Sequence, residues 1–543
     1  MNRPLIAGIL RPGRRTGRRG GARALAAAVV LGALAWGMPS GSAGAAGDDS
    51  GLPEALDGIL ADARLAGGQA SVVVADADSG DVLYSHTSGD RLMPASNTKL
   101  LTSAAAMSVL GPDYRFRTDV LTRGTRHGSV LHGDLYLRGT GDPTLLAEDY
   151  DELAGKLAAA GIKRVTGRLV ADDTHFDDQR LGRSWAADDE AAYYSAQISA
   201  LAVAPDTDYD TGTVIVHVSP GAAAGDRPKV TVTPPTDHVQ VKVTATTAPA
   251  GEDGGITVDR EHGTNRITVG GSIAADADPA KEWVSVWNPT GYAAAVFRDA
   301  LAAHGIRVTG PTSLGQATPD GARQLAAHDS MRLADLLVPF LKLSNNMHAE
   351  ILTKAMGVKT AGEGSWDAGL AAVEAYLKKL GVDTEELRQV DGSGLSRMDS
   401  VPANAFLRLL TEVRDAPWFD AWYRALPVAC APDRFEGGTL RSRMCDTPAA
   451  LNAHAKTGSL TGASGLSGYV TDAGGRHLVF SIVLNDYLVD SVKDIEDAIV
   501  VTLASSDEKK AVAVSPRTLR GKQTAGHRQH AGLECSWQKP RSC

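Results

Sequence analysis

The stretch Pro94-Ala-Ser-Asn-Thr-Lys-Leu-Leu-Thr-Ser-Ala-Ala-Ala-Met-Ser-Val-Leu110 decides the interpretation of the whole chain. Proline favours the start of a helix, the residues after it are good helix formers, and Gly111-Pro112 is a common helix stop. We therefore predict a helix over Ala95–Leu110, sandwiched in the core. Residues i and i+3 share a helix face, so Ser96 and Lys99 can meet. A lysine whose pKa is lowered by burial or by a second cation can then take the serine proton.

This S-x-x-K spacing is common by chance, and alone it fits a helix cap followed by a surface lysine. A second motif, Ser344-Asn345-Asn346, lies between helical patterns at 332–342 and 348–356. The Ser344 hydroxyl can pass a proton to a leaving amine, and the Asn346 amide can hold a substrate backbone group and the lysine. Serine and asparagine also cap helices routinely, so Ser344 or Asn345 could simply cap the following helix.

A third motif, Lys456-Thr457-Gly458-Ser459, reads as part of a strand. Gly458 would let a substrate backbone approach closely, because it has no side chain. Lys456 supplies a fixed positive charge for a terminal carboxylate and holds down the pKa of Lys99. Alone, this motif also fits an edge-strand lysine followed by a turn.

The motifs S-x-x-K, S-x-N and K-T-G occur in this order along the chain. Together they indicate a single active site, which none of them indicates alone. The sequence resembles the serine penicillin-recognising enzymes, and more specifically peptidase family S13, the type-4, class C low-molecular-mass penicillin-binding proteins. The resemblance covers about residues 50 to 505. Further matching stretches are Leu137–Leu145, Asp391–Arg397, Gly438–Arg443 and Ala455–Tyr469.

Motif spacing separates this family from the class A β-lactamases, which the core also resembles. Ser96 and Ser344 are 248 residues apart, and a class A β-lactamase has a far shorter gap. Such an enzyme also needs a glutamate, on a loop beyond its S-x-N, to activate the deacylating water. Glu350 is the nearest acid after Asn346, but it lies in a helical pattern.

The resemblance implies an α/β (α+β) penicillin-binding/β-lactamase-like serine peptidase domain, with an antiparallel sheet flanked by helices. We expect this domain to span residues 47–124 plus 313–505. Short Val/Thr strands separated by Gly, Pro and Asp turns predict a large β-rich insertion at 125–312, with a smaller module at about 197–270. The polar, basic segment 506–543 is predicted to be a disordered tail.

The resemblance also implies the roles of the motif residues. Ser96 would attack the carbonyl of the penultimate D-Ala, with Lys99 as general base and Ser344 relaying the proton. Asn346 would bind the substrate backbone, and Lys456 and Thr457 its carboxylate, beside Gly458. The oxyanion would lie between the backbone N–H groups of Ser96 and Ser459.

The expected function is that of a secreted serine-type D-Ala-D-Ala carboxypeptidase. It would act on peptidoglycan stem peptides and be inhibited by β-lactam antibiotics. D,D-endopeptidase action stays open, because the two activities differ only in the leaving group. The alternatives are a catalytically silent penicillin-binding wall sensor or scaffold, and a β-lactamase.

The N-terminal 46 residues are typical of a signal peptide. Seven arginines lie between Arg3 and Arg23, and the apolar run Ala24–Met38 follows them. Those 15 residues span about 22 Å as a helix, short of the ~30 Å hydrocarbon core, so a cleaved signal is favoured over a membrane anchor. We expect an extracytoplasmic, cell-wall-associated protein. The net charge of −9 argues against nucleic-acid binding.

Export permits disulfides, and local pairing of Cys430 with Cys445 and of Cys535 with Cys543 is the simplest of three connectivities. Four free thiols are the alternative. No C-x-x-C or H-E-x-x-H motif occurs, and we expect neither a metal nor a cofactor.

One segment of the insertion combines aromatic and acidic residues. It could reach over the cleft and bind an amino group on the substrate's side chain, as in diaminopimelate. Packing between domains explains the same composition equally well. The residues concerned are Trp185, Asp188, Asp189, Glu190, Tyr193 and Tyr194.

Overall fold

The computed structural model describes residues 51–252, 254–507, 510–511 and 513–520. The predicted signal peptide and the cysteines at 535 and 543 lie outside these residues. Part of the predicted disordered tail lies inside them, and there the prediction is wrong for residues 516–520, which form a short helix. Its apolar Leu519 is buried against the core, which explains why this piece of a polar segment is ordered.

Helices concentrate near the two ends of the described residues and between Ser344 and Lys456. Those predicted at 332–342 and 348–356 are both present, with shifted ends. The α-helices are α1 Leu52–Leu60, α2 Thr98–Val109, α3 Ala147–Ala159, α4 Pro289–Ala303, α5 Leu333–Lys342, α6 Asn346–Ala361, α7 Trp366–Lys379, α8 Ala403–Glu412, α9 Phe419–Arg424, α10 Arg434–Gly437, α11 Lys493–Ser505 and α12 Pro516–Arg520.

Strands concentrate in the middle of the chain and at its two described ends. They are β1 Gln69–Asp76, β2 Val82–His86, β3 Arg91–Leu92, β4 Arg117–Thr122, β5 Thr125–His127, β6 Val130–His132, β7 Leu135–Gly139, β8 Arg164–Val165, β9 Leu169–Asp172, β10 Thr213–Ser219, β11 Lys229–Thr233, β12 Gln240–Val243, β13 Thr246–Ala248, β14 Gly255–Arg260, β15 Arg266–Ala274, β16 Ala280–Ser285, β17 Arg307–Val308, β18 Thr312–Leu314, β19 Arg323–Asp329, β20 Val401–Pro402, β21 His454–Leu460, β22 Ala463–Thr471 and β23 His477–Asn485.

The main sheet has five antiparallel strands in the order β2-β1-β23-β22-β21. Its central strand β23 is apolar on both faces. Leu478, Phe480 and Ile482 point to the cluster formed with α1 and α11, whereas Val479 and Val483 point to the cluster that contains α2. Side chains alternate along a strand, so a sheet covered on both faces needs this near-continuous apolar run. The predicted antiparallel sheet flanked by helices is confirmed.

Helix α2 is buried along almost its whole length. Every residue from Thr98 to Met107 is buried, so the helix shows no solvent-facing stripe. A helix enclosed on all sides belongs to the core rather than to the surface. The predicted sandwiched position of this helix is confirmed.

The middle region, residues 117–329, forms its own sheets. Strands β4 and β19 pair with each other, and β4 also pairs with β7, so sheet pairing extends beyond the predicted limits of 125 and 312. Likewise β10 pairs with β16, which carries the smaller module's sheets to residue 285. The division of the chain into domains stays a prediction.

The middle region is less purely β than expected, because it also contains α3 and α4. The Val/Thr strands dominated the prediction, although the sequence of α3 has a helical apolar period. Its buried residues Tyr150, Leu153, Ala154 and Leu157 fall three or four apart and face the core of this region.

Among the described residues, no helix is both long and apolar enough to cross a bilayer.

Candidate active site

Ser96 lies in a tight turn rather than in the α-helix itself. Residues Ala95–Asn97 form a 3-10 turn that leads into α2, and Ala95 adopts a left-handed φ of 48°. Side chains at i and i+3 eclipse in 3-10 geometry, so Ser96 and Lys99 are brought together. The Lys99 Nζ donates to Ser96 Oγ at 2.6 Å, and both residues are buried. The predicted proximity of these two side chains is therefore present in the structure.

Lys99 Nζ also donates to two acceptors that come from outside its own helix. They are Asn346 Oδ1 at 2.7 Å and the Ser393 carbonyl at 2.9 Å. The ammonium form of Lys99 donates to all three acceptors. After loss of one proton the amine keeps two N–H groups for Asn346 and Ser393, and its lone pair would face Ser96 Oγ, as a general base requires.

Ser344 and Lys456 form a second buried pair. The Lys456 Nζ donates to Ser344 Oγ at 2.8 Å and to the Thr457 carbonyl at 2.7 Å. Ser344 has a left-handed φ of 57°, a conformation that non-glycine residues adopt mainly where the surroundings enforce it. The neighbouring Asn345 caps α6 by accepting from the His348 N–H, as one alternative for this motif proposed.

Strand β21 is the edge of the main sheet, and Gly458 lets it lie directly on the turn that carries Ser96. A Cβ on Gly458 would be 2.6 Å from the Pro94 carbonyl oxygen and 3.2 Å from the Ser96 nitrogen. We expected the missing side chain to admit a substrate. The close neighbour in the structure is the protein's own backbone. Asn97, oriented to donate to the Lys456 carbonyl at 2.6 Å, ties the same turn to β21.

The hydroxyls of Thr457 and Ser459 have different surroundings. Thr457 Oγ1 lies 2.8 Å from Thr439 Oγ1. Ser459 Oγ is buried and has no hydrogen-bond partner among the described residues. A buried hydroxyl is rarely left without a partner, so this group still has a hydrogen bond to make.

The aromatic-acidic segment of the insertion contacts the site. Asn346 Nδ2 donates to the Tyr194 carbonyl at 2.8 Å, and Tyr194 Oη donates to Asp189 at 2.8 Å. Trp185 Nε1 donates to Asp391 at 2.9 Å. Glu190 is buried against Arg260 at 2.9 Å, a packing role. Packing therefore explains several of these residues, and recognition of a substrate amine stays a prediction.

Behind Lys99 lies a group of buried acids. Burial raises the pKa of Glu350 to about 8, and nearby Asp391 acts in the same direction. Burial also raises the pKa of Asp399, again with help from Asp391. These acids accept hydrogen bonds mainly from backbone N–H groups of residues 390–396.

Two groups in the described residues bring three ligand atoms within 4.8 Å of one another, and neither contains a predicted site residue. They are Asp149, Glu152 and His328, and Asp206, Asp208 and Asp210. The disulfide Cys430–Cys445 is formed as predicted.

Sequence reasoning missed three contributors to the site. The Ser393 and Tyr194 carbonyls are backbone atoms, which carry no side-chain signature. Thr439 lies in the Gly438–Arg443 stretch, whose resemblance to the family was the available signal.

The chain is similar to known proteins over most of its length. The sequence model of the D-Ala-D-Ala carboxypeptidase 3 (S13) family matches residues 52–506. A D-alanyl-D-alanine carboxypeptidase of Actinomadura sp. (strain R39) is 45% identical over 491 residues, which cover 90% of this chain and 89% of the relative.

Two solved structures agree with this result. Penicillin binding protein 4 (dacB) from Haemophilus influenzae has a TM-score of 0.70 at 27% identity, covering 81% of this chain and 94% of that one. The same protein complexed with a novel β-lactam has a TM-score of 0.65 at 26% identity, with the same coverage. By the family match and the 45% identical relative, the chain belongs to the D-Ala-D-Ala carboxypeptidase 3 (S13) family and is a serine-type D-Ala-D-Ala carboxypeptidase.

Proposed function

We propose that this enzyme cleaves the terminal D-Ala-D-Ala bond of peptidoglycan stem peptides through an acyl-enzyme on Ser96. One observation carries the proposal. Lys99 Nζ lies 2.6 Å from Ser96 Oγ, and two fixed acceptors orient it. A serine hydroxyl is a weak nucleophile, and a base at hydrogen-bond distance is what activates it.

In the acylation step, Ser96 Oγ forms a bond to the carbonyl carbon of the penultimate D-Ala while its proton moves to Lys99. The negative charge that develops on the carbonyl oxygen lies between the backbone N–H groups of Ser96 and Ser459. Preorganised donors of this kind stabilise the transition state more than the ground state. The C–N bond then breaks, and the Ser344 hydroxyl, held by Lys456, delivers a proton to the departing D-Ala nitrogen while it takes up the proton held by Lys99, which leaves that amine neutral.

The substrate's terminal carboxylate would lie beside β21. Lys456 supplies positive charge there, Thr457 a hydroxyl, and Ser459 a buried hydroxyl that lacks a partner among the described residues. The peptide would extend along the free edge of β21, with Asn346 holding its backbone. Water then hydrolyses the ester and regenerates Ser96.

β-Lactams would acylate the same serine and be released slowly. Support comes from the H. influenzae structure that is complexed with a novel β-lactam. We also propose an extracytoplasmic, wall-associated location, because stem peptides of the wall are found there. The N-terminal composition of the chain supports this location.

The test is release of free D-Ala from a stem pentapeptide ending in D-Ala-D-Ala, by the wild type and by Ser96→Ala. We expect release by the wild type alone. Equal release by both proteins would refute the Ser96 mechanism. No release by either, together with a stable penicillin adduct on the wild type, would instead favour a silent penicillin-binding sensor or scaffold.

The same preparation separates the remaining alternatives. A β-lactamase would turn over penicillin continuously, whereas the proposed peptidase stays acylated. A cross-linked dimer of stem peptides, offered as substrate, measures D,D-endopeptidase action.

A further inference from the structure

Glu350 is a fully buried acid that the proposed mechanism does not use. It lies on α6, one turn after Asn346, so the two side chains share a helix face. Its carboxylate accepts from three N–H donors, two of which belong to the loop 391–396.

The carboxylate of Glu350 fixes the backbone of that loop. Its Oε2 accepts from the Gly392 N–H at 2.8 Å and from the Trp366 indole at 2.7 Å. Its Oε1 accepts from the Ser393 N–H at 2.9 Å. Buried backbone N–H groups are costly to leave unpaired, so these contacts define where the loop lies.

The carbonyl of the same residue, Ser393, accepts from Lys99 Nζ at 2.9 Å. Both acceptors that orient the Lys99 amine therefore depend on one turn of α6. Asn346 contacts the Lys99 amine with its own side chain. Glu350 acts indirectly, because it binds the N–H of Ser393, and the carbonyl of Ser393 contacts the amine. Thr102 of α2 adds a second tie by donating to the Gly392 carbonyl at 2.7 Å.

We propose that Glu350 is a positioning residue for proton transfer, which holds the Ser393 carbonyl against the Lys99 amine and so directs the lysine lone pair to Ser96. The proposal rests on the proposed role of Lys99 as general base. Either protonation state of the carboxyl group keeps lone pairs for its three donors. A glutamine amide does not, because its NH₂ group would face at least one of these N–H donors.

The test is Glu350→Gln, assayed by single-turnover acylation with a chromogenic penicillin after active-site titration. We expect the limiting acylation rate to fall about 10- to 100-fold, since small misplacements of catalytic groups have effects of this size. The half-saturating penicillin concentration should stay at the wild-type value, because Lys456, Thr457 and Ser459 are untouched.

Glu496→Gln is the matched control. Glu496 is also fully buried, but it lies on α11, which covers the face of the main sheet opposite to α2. It accepts from Arg443 and Ser464. It should lower the melting temperature and leave the limiting acylation rate unchanged. A wild-type acylation rate in Glu350→Gln would overturn the proposal. So would equal losses of rate in the two variants.

If Glu350→Gln does not fold, Thr102→Val tests the same loop from α2. It removes the tie to the Gly392 carbonyl and should also lower the limiting rate without changing half-saturation; an unchanged rate would count against the proposal. Failure of the proposed function has a different signature, since the wild type itself would then release no D-Ala from the stem pentapeptide, whatever the acylation rate of Glu350→Gln.

Discussion

Gly458→Ala tests whether contact between β21 and the nucleophile turn sets the geometry of catalysis. The new Cβ would lie 2.6 Å from the Pro94 carbonyl oxygen, about 0.8 Å short of the 3.4 Å at which ordinary contact begins. It would also lie 3.1 Å from the Asn97 nitrogen and 3.2 Å from the Ser96 nitrogen. These neighbours are backbone atoms, so a side-chain rotation cannot relieve the overlap.

The strand and the turn must therefore separate by several tenths of an ångström. Overpacking of this kind costs about 1–3 kcal/mol of stability. Because Ser96 and Ser459 lie on the two sides of the contact, their N–H groups would also move apart. We expect the rate of acylation by penicillin to fall about 10- to 100-fold.

The assay is stopped-flow acylation with a fluorescent penicillin, combined with thermal unfolding. Gly58→Ala is the matched control, because a Cβ there has no atom within 4 Å and the residue lies in helix α1. It should stabilise the protein slightly and leave acylation unchanged. Wild-type acylation by Gly458→Ala would refute the reasoning.

Three further predictions concern the surroundings of the site. Thr439→Val removes the hydroxyl that lies 2.8 Å from Thr457 Oγ1. Loss of a hydrogen bond worth about 1 kcal/mol should raise the substrate KM about fivefold with little change in kcat, which steady-state kinetics would measure. Burial lowers the pKa of His454 from 6.5 to about 4, so the unfolded chain binds a proton that the folded chain does not between these values. Stability should fall as pH falls through that window, by about 1–2 kcal/mol after allowing for partial exposure, and denaturant unfolding should show a flatter profile for His454→Gln. Replacing Cys430 and Cys445 together by serine opens a link with a sequence separation of 15 and should lower stability by about 3 kcal/mol in urea unfolding.

Each of these predictions has a control. Thr439→Ser keeps the hydroxyl and should keep the wild-type KM, and a rise equal to that of Thr439→Val would contradict the argument. An equally steep pH profile in His454→Gln would assign the titration to other groups. For the disulfide, wild type under reducing conditions should match the double variant, and equal stability with and without reductant would contradict the prediction.

The sequence predicted those parts of the fold that follow from local pattern. The helices that flank Ser344 were visible from their apolar period. The three motifs named Ser96 and Asn346, which contact Lys99, and Ser344 and Lys456, which contact each other. The family assignment and the antiparallel sheet followed from the same stretches.

What the sequence could not predict depends on contacts between distant backbone segments. The Ser393 carbonyl reaches Lys99 from 294 positions further along the chain. The role of Glu350 is invisible for the same reason, since its partners are peptide N–H groups of a loop that only the fold brings near. The pairing of β4 with β19, outside the expected limits of 125 and 312, was not visible in the sequence, because each looks like any other strand until the fold brings the two together.

The central position of β23 also determines when, during synthesis, a working site can exist. Gln69 of β1 pairs with Asn485 of β23, near the two ends of the described chain, and the hairpin of β21 and β22 joins the main sheet only through β23. The middle region pairs within itself and can form earlier, because its contacts close over shorter stretches. A chain that lacks β23 thus contains Ser96 and Ser344, but it has no main sheet to hold Lys456 against Ser344. We therefore expect the nascent enzyme to be inert until β23, which ends at Asn485, has emerged.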